Sequence, residues 1–180
     1  MKRHLITALA VSAVLVSAVA QAKGEPNSIT DTSAKTRAQN LSVMAFLPYY
    51  YGFGIGANVR YEIPIVQNGF VPTINNSFSI EPSLGLDYRT WNVGAHYGVL
   101  DITPAVYGIW NFYFNDKFSA YGGLGLGFDI GVFTGTSYAN SASFFYWDPV
   151  VGLHYKFSPA MAFRAEAGAQ AIKAGLSFYF

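Results

Sequence analysis

From residue 52 onward, large apolar residues recur at every second position. Between residues 52 and 63, Phe53, Ile55, Ala57, Val59, Tyr61 and Ile63 alternate with Gly52, Gly54, Gly56, Asn58, Arg60 and Glu62. A helix would mix the two sets around its circumference, whereas a strand sends them to opposite faces. The pattern returns over 78–88, 119–131, 145–157 and 172–180. Four of these five runs are 11 to 13 residues long, about twice the usual globular strand of about 5 to 6 residues. A tilted strand crossing a bilayer needs about 9 to 11. One face of each run is continuously apolar with aromatic residues near its ends. The other is small or polar, with scattered charges. A soluble barrel would put the apolar face inside and the charges outside; a membrane barrel does the reverse.

Composition supports that class. The 180 residues are 52% hydrophobic and 17% aromatic but only 12% charged, against about 25% charged in a typical soluble domain. So little charge excludes disorder, coiled coils and basic nucleic-acid binders. The lack of cysteine excludes a disulfide scaffold, a thiolate zinc site, a catalytic cysteine and a lipidated-cysteine anchor.

The N-terminal 22 residues read as a secretory signal peptide. Met1-Lys2-Arg3-His4 is a positive head, 5–19 is mainly apolar, and Ala20-Gln21-Ala22 fits the small-x-small cleavage rule. The apolar run is too short to span a membrane as a helix, which takes about 20 residues. Cleavage after Ala22 leaves nine basic against ten acidic residues, a net charge of −1, and no reason to invoke nucleic acid. Residues 23–40 contain no aromatic residue and are expected to form a mobile polar tail. All 31 aromatic residues lie from Phe46 to Phe180, so the barrel domain is expected to occupy 41–180.

Turn signals divide the runs. Asn115-Asp116-Lys117 and Ser158-Pro159-Ala160 mark tight hairpins, Asn68-Gly69 and Asn75-Asn76 a longer connection. Segments 89–99 and 132–143 read as loops. Seven strands follow, over 50–65, 77–89, 100–114, 117–131, 143–157, 161–169 and 172–180. Bacterial single-chain barrels have an even number, so 41–47 is assigned as the first strand, although its alternation is poor and Pro48 closes it. The expectation is an all-β, eight-stranded antiparallel up-and-down transmembrane barrel. Its Asn115 and Ser158 turns would lie in the periplasm and its 89–99 and 132–143 loops outside the cell.

The last strand carries a further pattern: Lys173, then Gly175, then Phe178 and Phe180 at alternate positions. This resembles the terminal strand of bacterial outer-membrane β-barrels. Segments NDKFSAYGGLGLGFD and HYKFSPAMAFRAEAG are similar to hairpins of that group, and 41–180 resembles the small OmpA-, OmpX- and OmpW-type barrels. The resemblance implies residence in the outer membrane of a Gram-negative bacterium. It also implies contact with outer-membrane lipid, and reading of Lys173, Gly175, Phe178 and Phe180 by the barrel-assembly machinery.

Parity sends Arg60, Glu62, Glu81, Asp87, Arg89, Asp129, Asp148, Lys156, Arg164, Glu166 and Lys173 inward. Charges in a narrow lumen must pair or be hydrated. Eight strands leave room only for side chains, so an internal network that plugs and braces the barrel is expected. Arg60, Glu62, Arg164 and Glu166 are expected to pair across strands.

Other motifs carry less. Gly52-x-Gly54-x-x-Ala57 and Gly123-x-Gly125-x-Gly127 sit within alternating runs, outside the strand–turn–helix context of a dinucleotide loop. Their glycines relieve crowding inside the barrel. His154 should face the lumen near the periplasmic end and His96 lie in a loop. Neither has the partners a metal site needs, and His154-Tyr155-Lys156-Phe157-Ser158 lacks the tight His-x-Ser-Asn element of a barrel deacylase. No catalytic, metal or cofactor residue is assigned. The sequence reads as a monomeric, non-enzymatic structural or surface-interaction protein, able to meet an extracellular ligand through its loops. The alternatives are a narrow channel for small or hydrophobic solutes and, third, a lipid-modifying barrel enzyme.

Overall fold

A computed structural model describes residues 27–49, 52–92, 96–134 and 141–180. The signal-peptide residues, with Ala20 and Ala22, lie outside these. Eight strands form one closed antiparallel barrel in chain order. They are β1 (Asn40–Pro48), β2 (Phe53–Val66), β3 (Asn76–Asn92), β4 (His96–Tyr113), β5 (Phe118–Thr134), β6 (Ser141–Ser158), β7 (Met161–Gly168) and β8 (Ala171–Tyr179). The segment 41–47 is thus a strand. It closes the barrel by pairing with β8, from Asn40 opposite Tyr179 to Pro48 opposite Ala171.

The alternating faces sort as an inverted protein. Leu84, Leu86, Val106, Leu124, Leu126, Val151 and Ile172 are exposed on the outer wall, while Arg60, Glu81, Asp148 and Arg164 are fully buried inside. Only lipid makes such an exterior favourable, and a closed ladder leaves no backbone edge unpaired in the hydrocarbon.

One end of the barrel carries both of its termini and the connections 67–75, 114–117 and 159–160; it is called here the terminal end. Asn115 Oδ1 shapes the second of these, accepting from the backbone N–H of Lys117 (2.9 Å) and Phe118 (2.7 Å). In the first, Gly69 takes φ +62°. Asn76 braces the same turn by donating to the carbonyls of Val71 (2.8 Å) and Ile74 (2.7 Å).

The opposite end projects unevenly. Strands β3 to β6 run 17 or 18 residues, whereas β1, β7 and β8 have 9, 8 and 9. Two segments read from sequence as loops, 89–99 and 132–143, are strand over 89–92 and 96–99 and over 132–134 and 141–143. Pairing continues to Asn92 opposite His96 and to Val132 opposite Ser141. Beyond the bilayer both faces of a sheet are wet, so strand no longer needs strict alternation. His96 begins β4 rather than lying in a loop; its side chain is outside those described. β7 reaches only to Gly168, opposite Val150, so the first part of β6 has no strand on that side among the described residues. Phe144 lies there on the inward parity, yet is 65% exposed, which places it above the closed wall.

The polar segment ahead of β1 has the composition of a tail, but residues 27–39 make tertiary contacts across the terminal end. Asn75 donates from its backbone to Ile29 O (2.7 Å) and from its side chain to Asn27 O (3.0 Å). Lys35 N–H donates to Asn68 Oδ1 (2.9 Å), and the Arg37 guanidinium lies over the Tyr113 ring at 3.8 Å. Lys35, with Ser33, holds the Asp31 carboxyl well below the usual carboxylate range, so this turn keeps its ion pair into acid.

Candidate functional site

Six inward charges meet at mid-barrel, three of each sign. Arg60 on β2 forms a fork with Glu166 on β7, both contacts 2.8 Å, and reaches Glu81 on β3 at 3.4 Å. Arg164 on β7 forms a second fork with Glu81, at 3.0 and 2.9 Å. Lys173 on β8 bonds Asp148 at 2.7 Å and Glu166 at 3.0 Å. Planar guanidinium and carboxylate groups match in such forks.

Neutral groups fill the remaining valences. Arg164 Nε donates to the Tyr121 hydroxyl at 2.8 Å, which donates to Glu166 at 3.0 Å. Arg60 lies over the Tyr107 ring at 3.6 Å. The Tyr107 and Tyr146 hydroxyls both reach Asp148, at 3.1 and 2.9 Å. Glycines make room for the two rings. A Cβ at Gly125 would sit 2.3 Å from the Tyr107 ring, and one at Gly152 2.3 Å from Tyr121. The expectation that Gly125 relieves crowding thus has a named neighbour, and Gly152 adds a second such place.

A second cluster lies toward the projecting end. Arg89 Nε is 2.6 Å from Asp87 and 3.2 Å from Asp101, and its Nη2 is 3.4 Å from Asp129. Asp129 also accepts from Thr103 at 3.0 Å. Asp101 was not among the residues singled out by sequence. β4 carries large apolar side chains on both faces, with Tyr107 and Ile109 inside and Ile102 and Val106 outside, so its parity is hard to read. Tyr107, Tyr121 and Tyr146 were also passed over, because a tyrosine reads first as packing and only its hydroxyl joins the network.

Glu62 and Lys156 stand apart at the terminal end. Glu62 accepts from Ser79 (2.7 Å), Asn111 (2.8 Å) and Asn40, all neutral. The Lys156 ammonium lies over the Tyr179 ring at 4.2 Å. His154 is buried in the lumen at this same end, against Tyr121. Of the four residues in the terminal-strand pattern, Lys173 belongs to the central network. Gly175 faces inward against β1, while Phe178 and Phe180 point outward.

The network separates two cavities. The one toward the projecting end is about 30 Å³, room for about one water. The one at the terminal end that Glu62, His154 and Lys156 line is about 250 Å³. Between them Arg60, Glu81, Arg164 and Glu166 leave almost no accessible surface. The arrangement braces the wall from inside and blocks the axis.

No protein-family model matches the chain, and no curated protein matches it in sequence. Its architecture does match solved structures. Ail, the attachment invasion locus protein of Yersinia pestis, superposes with a TM-score of 0.53 at 17% identity, over 79% of this chain and 97% of Ail. NspA, the Neisserial surface protein A, superposes with a TM-score of 0.56 at 11% identity, over 79% of this chain and 96% of NspA. The chain is a small barrel of the outer-membrane type. At these identities the likeness extends to the fold, shared across nearly the whole length of both neighbours. Ail has also been solved with a heparin analogue, sucrose octasulfate, and that structure superposes with a TM-score of 0.54 at 16% identity, over 79% of this chain and 97% of Ail.

Proposed function

We propose that this chain is a non-enzymatic outer-membrane protein with a sealed lumen, acting as a structural or surface-interaction element. Its terminal end faces the periplasm and its projecting β3–β6 sheet faces outward. The observation that carries the reading is the combination of a blocked axis with four strands prolonged past the wall. The contact surface is then sheet rather than long loops. The free side of β6 offers Phe144, and the barrel mouth below it is acidic, with Asp87, Asp101 and Asp129 around Arg89. The connections 50–51, 93–95 and 135–140 contain no charged residue. Ail has been solved with a polysulfated ligand; the mouth here, with three carboxylates to one guanidinium, favours a neutral or cationic partner instead.

The absence of cysteine makes a clean topological test. Phe144→Cys is expected to react with a membrane-impermeant maleimide on intact cells, and Lys117→Cys only after the outer membrane is permeabilised. The reverse pattern would overturn the orientation and with it the surface reading. The blocked axis is tested in planar bilayers. The reconstituted protein is expected to give no stable single-channel steps; steps of defined conductance would instead favour the channel.

A further inference from the structure

The mid-barrel network and the projecting sheet leave the terminal-end cavity unused. Its walls hold three groups whose chemistry is incomplete. Lys156 on β6 has three N–H donors above an aromatic ring and no carboxylate in ion-pair range among the described residues. His154, two residues earlier on the same face of β6, is buried with its Nε2 lacking any hydrogen-bond partner. A buried, unpartnered ring nitrogen is costly and calls for an explanation. Glu62 on β2 is a buried carboxylate held by neutral donors alone. All three line the same cavity of about 250 Å³. In an eight-membered ring of strands, β2 and β6 are diametrically opposite. Lys156 and His154 thus face Glu62 across the cavity, and Lys35, Arg37 and Asp116 add charges of both signs around its opening, Lys35 already paired with Asp31.

Neither a simple anion nor a simple cation suits it, since each would gain one wall and be repelled by the other. Water can supply hydrogen bonds but brings no ion-pair partner to Lys156 or Glu62. We propose that this cavity binds a small zwitterion of the amino-acid class. Its carboxylate would lie on Lys156 and His154 Nε2, and its ammonium on Glu62. The space is several times what a single water needs, enough for a small molecule. Residues 35–38 line the cavity beside its opening, with Arg37 held against Tyr113, and Asn111 completes the inner wall. A ligand would enter from the terminal end, since the central network bars the other route. This site is independent of the surface reading, which concerns the opposite end.

The test uses the full barrel refolded in detergent micelles and titrated with glycine, β-alanine and γ-aminobutyrate. Butyrate and butylamine serve as half-charged controls, and the His154 ring resonances as the readout. One zwitterion of the series is expected to give a saturable shift, with both controls at least tenfold weaker. Lys156→Met and Glu62→Gln should each weaken that zwitterion at least tenfold. Heat-modifiable gel mobility verifies that each variant is folded, and either variant alone suffices. No saturable shift with any of the three zwitterions overturns the proposal. So does butyrate binding as tightly as γ-aminobutyrate, which would mark an anion site, or a folded Lys156→Met that binds like the parent.

Discussion

Replacing Arg164 by methionine is expected to be the most damaging single change in the barrel. The side chain is 0% exposed, and its two N–H pairs satisfy both oxygens of Glu81 while Nε satisfies Tyr121. Methionine fits the volume but leaves three buried carboxylates facing two cations. Removing one partner of a buried pair costs about 3–5 kcal/mol, chiefly because the other charge remains without compensation. The folded-to-unfolded ratio should then fall by roughly two to four orders of magnitude. Guanidinium titration of the refolded protein, followed by heat-modifiable gel mobility, reads this as a lower midpoint. Arg164→Lys keeps the charge but loses the fork, and should fall between the two. The informative variant is the double change Arg164→Met with Glu81→Gln. It restores the balance of charge and should recover part of the loss, whereas Glu81→Gln alone should also destabilise. A midpoint unchanged in Arg164→Met would mean that water, not the partner charge, satisfies Glu81.

The same network shows where sequence reasoning reached its limit. Period-two alternation reports which face a residue occupies, so the inward direction of Arg60, Glu81, Arg164 and Glu166 was legible. It does not report height along the axis or position around the ring. The pairing of Arg60 on β2 with Glu166 on β7 depends on the stagger of the closed sheet, which no single strand encodes. β1 was legible mainly through the requirement for an even strand count. Its interior face carries Met44 and Phe46, so apolar residues stand on both sides and the alternation blurs. The prolonged ends of β3 to β6 read as loops for the complementary reason, that outside the bilayer neither face need be apolar. The contacts of residues 27–39 depend on partners such as Asn68 and Asn75, far along the chain and invisible to composition.

The terminal-strand pattern has two expected roles, closure of the barrel and recognition by the assembly machinery, and a pair of variants separates them. Gly175 lies on the seam where the barrel closes. A Cβ there would stand 2.0 Å from Val43 O and 2.6 Å from Met44 Cα, both backbone atoms of β1. Backbone cannot rotate away as a flexible side chain can, so Gly175→Ala must spread β1 from β8. Overpacking of this kind costs about 1–3 kcal/mol, and here it falls on the ladder that closes the barrel. Phe180 differs. It is 69% exposed, stacks on Tyr61 at 6.0 Å, and donates one backbone hydrogen bond to Gln39 O at 3.2 Å. Deleting it removes contacts worth about 1–2 kcal/mol together, without disturbing the seam. In detergent, where no assembly machinery is present, Gly175→Ala is expected to refold poorly and the Phe180 deletion nearly as well as the parent. In cells both should lose membrane yield, the deletion by failure of recognition rather than of folding. A Phe180 deletion that inserts at parental yield would remove the recognition role. Gly175→Ala refolding with an unchanged midpoint would show that the seam has slack at β1.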